Sequence, residues 1–161
     1  MKFSRMISQV GKPQSVAEAV VNRSTKWIAE RFGVSRRTAQ RWKKGTQQPS
    51  EKEGRRERVE KSANKETRQA VAAQALRSAQ AVNAGRVGVV DKSGGKTSKR
   101  NLGVVQLDQG ARDIMRQAAE QLEAGNEAEA ERLVSQAILT SNGRNYGPLE
   151  IDDYPPGFHT I

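Results

Sequence analysis

The chain has 161 residues, of which 35% are hydrophobic, 4% aromatic and 29% charged. So small an apolar supply argues against one large core and for two modest ones joined by a solvated segment. There is no cysteine, which excludes a disulfide framework, a thiol nucleophile and a thiolate metal site, and no stretch approaches the roughly 20 apolar residues of a membrane helix.

The net charge is +10, and it is unevenly spread. Residues 1–100 hold 24 Lys/Arg against 8 Asp/Glu, whereas residues 101–161 hold 4 against 10. A basic field of this kind attracts polyanions such as nucleic acid or an anionic membrane surface. The fold class expected is mainly α with a small α+β module at the C-terminal end. The order is a helix-turn-helix bundle, a long basic helix, then β-β-α-α with a possible terminal strand.

The opening residues, "MKFSRMISQVGKPQS", carry no apolar run of signal-peptide length, and residues 1–13 are expected to be flexible. The expected location is the cytoplasm, in association with nucleoid or plasmid, with no membrane contact.

Residues 14–49 form the first expected domain. Within it, "TKWIAERFGVSRRTAQRWKKG" meets the positional demands of a helix-turn-helix one after another. Ile28, Ala29 and Phe32 lie on one face of a first helix, and Ala29 is small enough for close approach. Gly33 tolerates the positive φ of the turn, Val34 buries beneath it, and Ser35 is a favoured N-cap. Ala39 and Trp42 then face inward at i and i+3. Arg36, Arg37, Gln40, Arg41, Lys43 and Lys44 remain outside. Arginine grips guanine bidentately and glutamine pairs with adenine, so Arg36, Arg37, Gln40 and Arg41 are the expected base readers. Ser35, Thr38, Lys43 and Lys44 suit phosphate. No acidic residue occurs between Arg31 and Glu51, unlike the mixed face of an ordinary surface helix. Trp27 and Trp42 are expected in the core or at its rim.

Residues 50–84 are rich in helix formers and carry opposite charges at helical spacing, as in Glu51/Arg55 and Glu57/Lys61. They are expected as a basic helical linker, exposed in its first half, docked from Ala70 onward, and interrupted near Gly54 or Ser62–Asn64. Arg55 and Arg56 would grip phosphate.

Residues 85–161 are expected as an α+β module that oligomerises or binds a partner. "RVGVV" and "NLGVVQL" are β-type runs around the loop "DKSGGKTSKR". Asp108 caps a helix whose Ala111, Ile114, Met115, Ala118, Ala119 and Leu122 follow helical spacing. "AGN" at 124–126 breaks it, and a second helix carries Ala130, Leu133, Val134, Ala137 and Ile138. Leu149–Tyr154 can form a strand, with Tyr146 and Tyr154 packing the tail. "SGGKTS" lacks the first glycine of a P-loop, since position 90 is valine, and leads into a strand instead of a helix. His159 is the sole histidine, and adjacent Asp152 and Asp153 would face opposite ways on a strand. Neither supports a metal site, a triad or a cofactor, and no enzyme activity is expected.

The Gly-Val-Ser-x-Arg-Thr-x-x-Arg-aromatic core at 33–42 resembles the helix-turn-helix of bacterial DNA-binding proteins. Its likeness extends to the elements that follow: a "KG", a proline and a long basic helix, then two β-type runs around a Thr/Ser-bearing loop. Two helices and an acidic-aromatic tail complete the order. Over about residues 24–155 this order is similar to that of the telomere-protecting terminal proteins of linear actinobacterial replicons, and is closest over Gly33–Gly45. The resemblance implies binding of replicon ends beside a replication protein, and a side-chain hydroxyl that primes DNA synthesis and stays attached to the 5′ end. That hydroxyl would belong to Thr97 or Ser98, less readily Ser93, with Lys92, Lys96, Lys99 and Arg100 holding phosphates; a plain basic loop is the simpler alternative. A partner polymerase would supply the metals. Two further expectations stand beside this one: a dimeric transcriptional repressor joined through the C-terminal module, and a non-enzymatic partner of a replication protein.

Overall fold

The computed structural model describes residues 1–51, 54–91, 94–141 and 149–161. Its mainly α architecture with a small antiparallel sheet agrees with the fold class expected from sequence. The chain divides into two compact units, Gly11–Val71 and a second built from Met1–Val10 with Ala72–Ile161.

The first unit contains α2 (Val16–Val20), α3 (Thr25–Phe32), α4 (Arg36–Lys43), α5 (Arg55–Lys61) and the first half of α6 (Lys65–Ser78), after α1 (Phe3–Val10), which belongs to the other unit. Val16, Ala19, Val20, Ile28, Ala39, Trp42, Val59 and Ala63 form its core. The expected linker therefore contributes to this core from its first half. Val59 and Ala63 are buried, although Val59 is nearly the only large apolar residue in that stretch. One such residue is enough to seat a two-turn helix, since its long Arg and Glu neighbours keep their charged ends in water. Of the interruptions expected near Gly54 or Ser62–Asn64, the second separates α5 from α6, while Gly54 precedes the start of α5; Asn64 Oδ1 caps α6 by accepting from the Thr67 amide at 2.8 Å.

The second unit centres on β1 (Ala81–Asp91), which pairs antiparallel with β2 (Thr97–Gln106) on one side. On its other side it pairs with β3 (Leu149–Asp153) and β4 (His159–Thr160). Alternate residues Val82 and Ala84 are buried; past an irregularity at Gly85, burial resumes at Val87 and Val89. They pack with α7 (Gln109–Glu123) and α8 (Glu127–Thr140), whose expected apolar stripes are buried, apart from a half-buried Ile114. Full burial of a side chain such as Met115 or Ile138 contributes roughly 1.5–3 kcal/mol. Asp108 caps α7, its Oδ1 accepting from the Ala111 amide at 2.8 Å.

Two boundaries differ from expectation. Residues 1–13 are not a free arm: Phe3, Met6 and Ile7 of α1 are buried in the second unit's core. Their i, i+3, i+4 spacing is the helical signal, set in too short a segment to stand out. The long helix expected to reach residue 84 stops at Ser78, and Ala81–Ala84 form strand. Alanine-rich sequence favours helix in isolation, but here tertiary pairing with β2 and β4 decides.

Tyr154 closes the core against Phe3 and Phe158, with ring centroids at 5.9 and 5.4 Å. Tyr146 and the loop residues Lys92 and Ser93 lie outside the described residues. The Tyr154 hydroxyl is buried with no hydrogen-bond partner among the described residues. Burial, followed by the charges of Glu131 and Glu150, pushes its phenol well above the ordinary value of 10.0. A raised folded pKa favours the protonated folded state, so this contribution to stability is lost as pH rises past about 10. Tyr154→Phe is therefore expected to stabilise the protein by about 1 kcal/mol near neutrality, and by more at about pH 10.5. Urea unfolding of both proteins at the two pH values checks this; a less stable variant at high pH contradicts it.

Candidate nucleic-acid interface

The turn between α3 and α4 is built by local chemistry. Ser24 caps α3, its Oγ accepting from the Trp27 amide at 3.1 Å. Gly33 ends that helix in the left-handed region at φ 63°, and the Val34 amide donates back to the Ala29 carbonyl at 3.0 Å. Ser35 then caps α4, accepting from the Thr38 amide at 3.1 Å, and its hydroxyl lies 3.0 Å from that of Thr38. At the far end Gly45, at φ 70°, lets the Thr46 amide return to the Arg41 carbonyl at 3.0 Å. Both glycines sit where a side chain is strained by backbone conformation.

Packing fixes which way α4 faces. Ala39 and Trp42 are buried, the latter 2% exposed. Phe32 packs on Trp42 with centroids at 6.1 Å and on Trp27 at 6.0 Å. The Arg23 guanidinium covers Trp27 at 4.4 Å from its centroid, a cation–π contact that places Trp27 at the rim of the core.

At about 100° per residue, Arg36, Arg37, Gln40, Arg41 and Lys44 fall within about 140° of arc, opposite Ala39 and Trp42. All five are exposed, and none of their side chains has a partner among the described residues. Some arginines elsewhere are neutralised, Arg77 by Glu123 at 2.9 Å, Arg132 by Glu129 at 2.7 Å and Arg116 by Asp113.

The other sequence-derived candidates separate from this group. The Lys43 ammonium is partly buried and donates to the Arg23 carbonyl at 2.8 Å, so it ties α4 to the turn before α3. Arg56 is held by Glu60 at 2.9 Å and lies 3.8 Å from Glu51; the hydrogen bond and then the charge of Glu60 raise its pKa. Arg55 is half-buried beside it in the sequence. Lys96, Thr97 and Ser98 belong to the other unit. Thr97 and Ser98 open β2, paired with Val90 and Val89, and so lie in a strand and not in the loop expected. Thr97 is exposed and Ser98 half-buried, with Lys96, Lys99 and Arg100 exposed around them. Arg31 escaped the sequence reading; its place in the last turn of α3, just before the turn glycine, was the available signal.

No family model matches the chain, and no curated protein or solved structure matches it either. Among the described residues there is no cluster of potential metal ligands, and no helix is long and apolar enough to cross a membrane.

Adjacent lysines at the end of α4 thus have different local roles. Lys43→Ala is expected to lower unfolding free energy by about 1 kcal/mol, the scale of one hydrogen bond. Lys44→Ala is expected to change it by less than about 0.5 kcal/mol. Chemical denaturation of the two variants checks the contrast, and equal losses would contradict it.

Proposed function

We propose that the chain is a sequence-specific binder of double-stranded DNA that inserts α4 into the major groove. The observation carrying this reading is the face of α4. Five exposed polar side chains, four of them cationic, stand together with no partner among the described residues on a helix held by Trp42. An α-helix fits the major groove, where arginine and glutamine have matching bidentate partners on guanine and adenine. Arg36, Arg37, Gln40 and Arg41 would read bases, with Lys44 and the Ser35 end of the helix on the flanking phosphates. Between residues 11 and 71 the sequence has 16 Lys/Arg against 7 Asp/Glu, a balance suited to a polyanion.

Selection of preferred duplexes from a randomised pool, followed by titration, tests this. Arg36→Ala or Gln40→Ala should reduce discrimination against the mismatched base by about 1–3 kcal/mol. Lys44→Ala should weaken binding to all duplexes alike and reduce the salt slope by about one unit. Unchanged affinity and preference in all three variants would remove the groove assignment.

A second reading, that this is a terminal protein, draws on the exposure of Thr97 among Lys96, Lys99 and Arg100. There the Thr97 hydroxyl would attack the α-phosphorus of a deoxynucleoside triphosphate. The new bond is a phosphodiester to Oγ1, pyrophosphate leaves, and the hydroxyl proton passes to solvent, with metals supplied by a partner polymerase. Incubation with a labelled deoxynucleotide and host replication extract should give label that survives denaturation and disappears in Thr97→Ala. Label retained by a Thr97→Ala/Ser98→Ala double variant excludes this site.

A further inference from the structure

In the Gly11–Val71 unit, α3 and α5 border a cleft of about 560 Å³ lined by Arg31, Phe32, Arg55, Arg58, Lys61 and Ser62. Of these six described lining residues four are cations, and no carboxylate lines the cleft among the described residues. Lys61 has a carboxylate partner, Glu57 at 2.6 Å, which is not among the lining residues. Arg31 and Arg55 have no ion-pair partner among the described residues. Arg58 has an interaction of its own, so it is Arg31 and Arg55 that leave the groove positive, a potential that favours an anion there.

The neighbouring groove of the same unit makes the contrast. Its volume is about 220 Å³, and Lys12, Glu57, Glu60, Lys61 and Arg68 line it with Pro13. There the cations meet carboxylates within the wall, and no outside anion is called for.

The cationic cleft is coupled to α4 through a shared side chain. Phe32 lines it, and the same ring packs on Trp42, the residue that holds α4 in place. Arg31 and Ser35 are the two ends of one short turn, so a ligand in the cleft and a ligand on α4 are held by one rigid corner. Guanidinium groups match the oxygens of a phosphodiester in a planar fork. We propose that this cleft seats backbone phosphates of duplex DNA flanking the segment that α4 reads, with Arg31 and Arg55 as the principal contacts. This rests on the DNA-binding reading above and adds to it a second anchor, whose work is affinity and register and not base choice.

The test is the salt dependence of binding to a mixed-sequence synthetic duplex by the full chain. Arg31→Gln/Arg55→Gln is compared with wild type and with Lys2→Gln/Arg5→Gln, which removes the same charge in and just before α1 in the other unit. Each phosphate that the protein no longer neutralises reduces the slope of log K against log salt by about 0.9. The cleft variant should be shallower by about one to two units and bind about tenfold or more weakly near physiological salt, with its thermal unfolding unchanged. The α1 control should stay close to wild type. On duplexes selected by the wild type, preference over scrambled sequence should persist in the cleft variant. Should wild type bind duplex while the cleft variant keeps its slope, the phosphate seat is wrong and the groove reading stands. An equal loss in the α1 control assigns the effect to net charge and also overturns the cleft. If wild type binds no duplex at all, both readings fall together.

Discussion

Burial of Trp42 in the core that also holds Ile28, with Phe32 packed on its ring, is the contact on which the candidate interface depends. A two-turn helix such as α4 has no orientation of its own: its length is below what is stable in isolation, and its exposed side is crowded with like charges. Only the inward pair, Ala39 and Trp42, tells the helix which way to face. Capping by Ser35 and the left-handed turn at Gly33 set where it begins. The aromatic contact then fixes its rotation about its own axis, and with that the side chains presented to solvent.

The same corner explains why one small core serves so charged a unit. Phe32 touches both Trp27 and Trp42, while Arg23 shields Trp27 with its guanidinium and Lys43 pins the preceding turn. Cations near the core are thus used as structural parts, whereas those on the face of α4 have no partner among the described residues. That division bears on how a mutation should be interpreted. Removing Lys43 or Arg23 alters the scaffold, but removing Arg37 or Arg41 alters only what the scaffold displays.

Much of this was legible in the residues themselves. The Ile28, Gly33, Ser35, Ala39 and Trp42 positions each carry a local signal, and they occur at the spacing a helical corner requires. The paired stripes of α7 and α8 were equally clear, because each repeats its spacing over several turns. Other features were hidden for identifiable reasons. α1 is short, and its partners lie beyond residue 71. Ala81–Ala84 has the composition of a helix end, and strand formation there comes from distant pairing with β2 and β4. Lys43 is indistinguishable from Lys44 in the sequence, and only the fold separates a pinned ammonium from an exposed one. Thr97 and Ser98, expected in a loop, were drawn into β2 because hairpin pairing runs further toward its tip than apolar content suggests.

The proposed insertion of α4 into the major groove would bring its arginines to guanine N7, which lies on that groove's floor. The most direct measurement is therefore a methylation footprint on duplexes that the full chain selects from a random pool. Groove insertion should enrich a site containing guanines whose N7 is protected when wild type is bound and is released in Arg36→Ala or Arg41→Ala. Failure to enrich any site, or bound duplexes whose guanine N7 stays fully reactive, would contradict it.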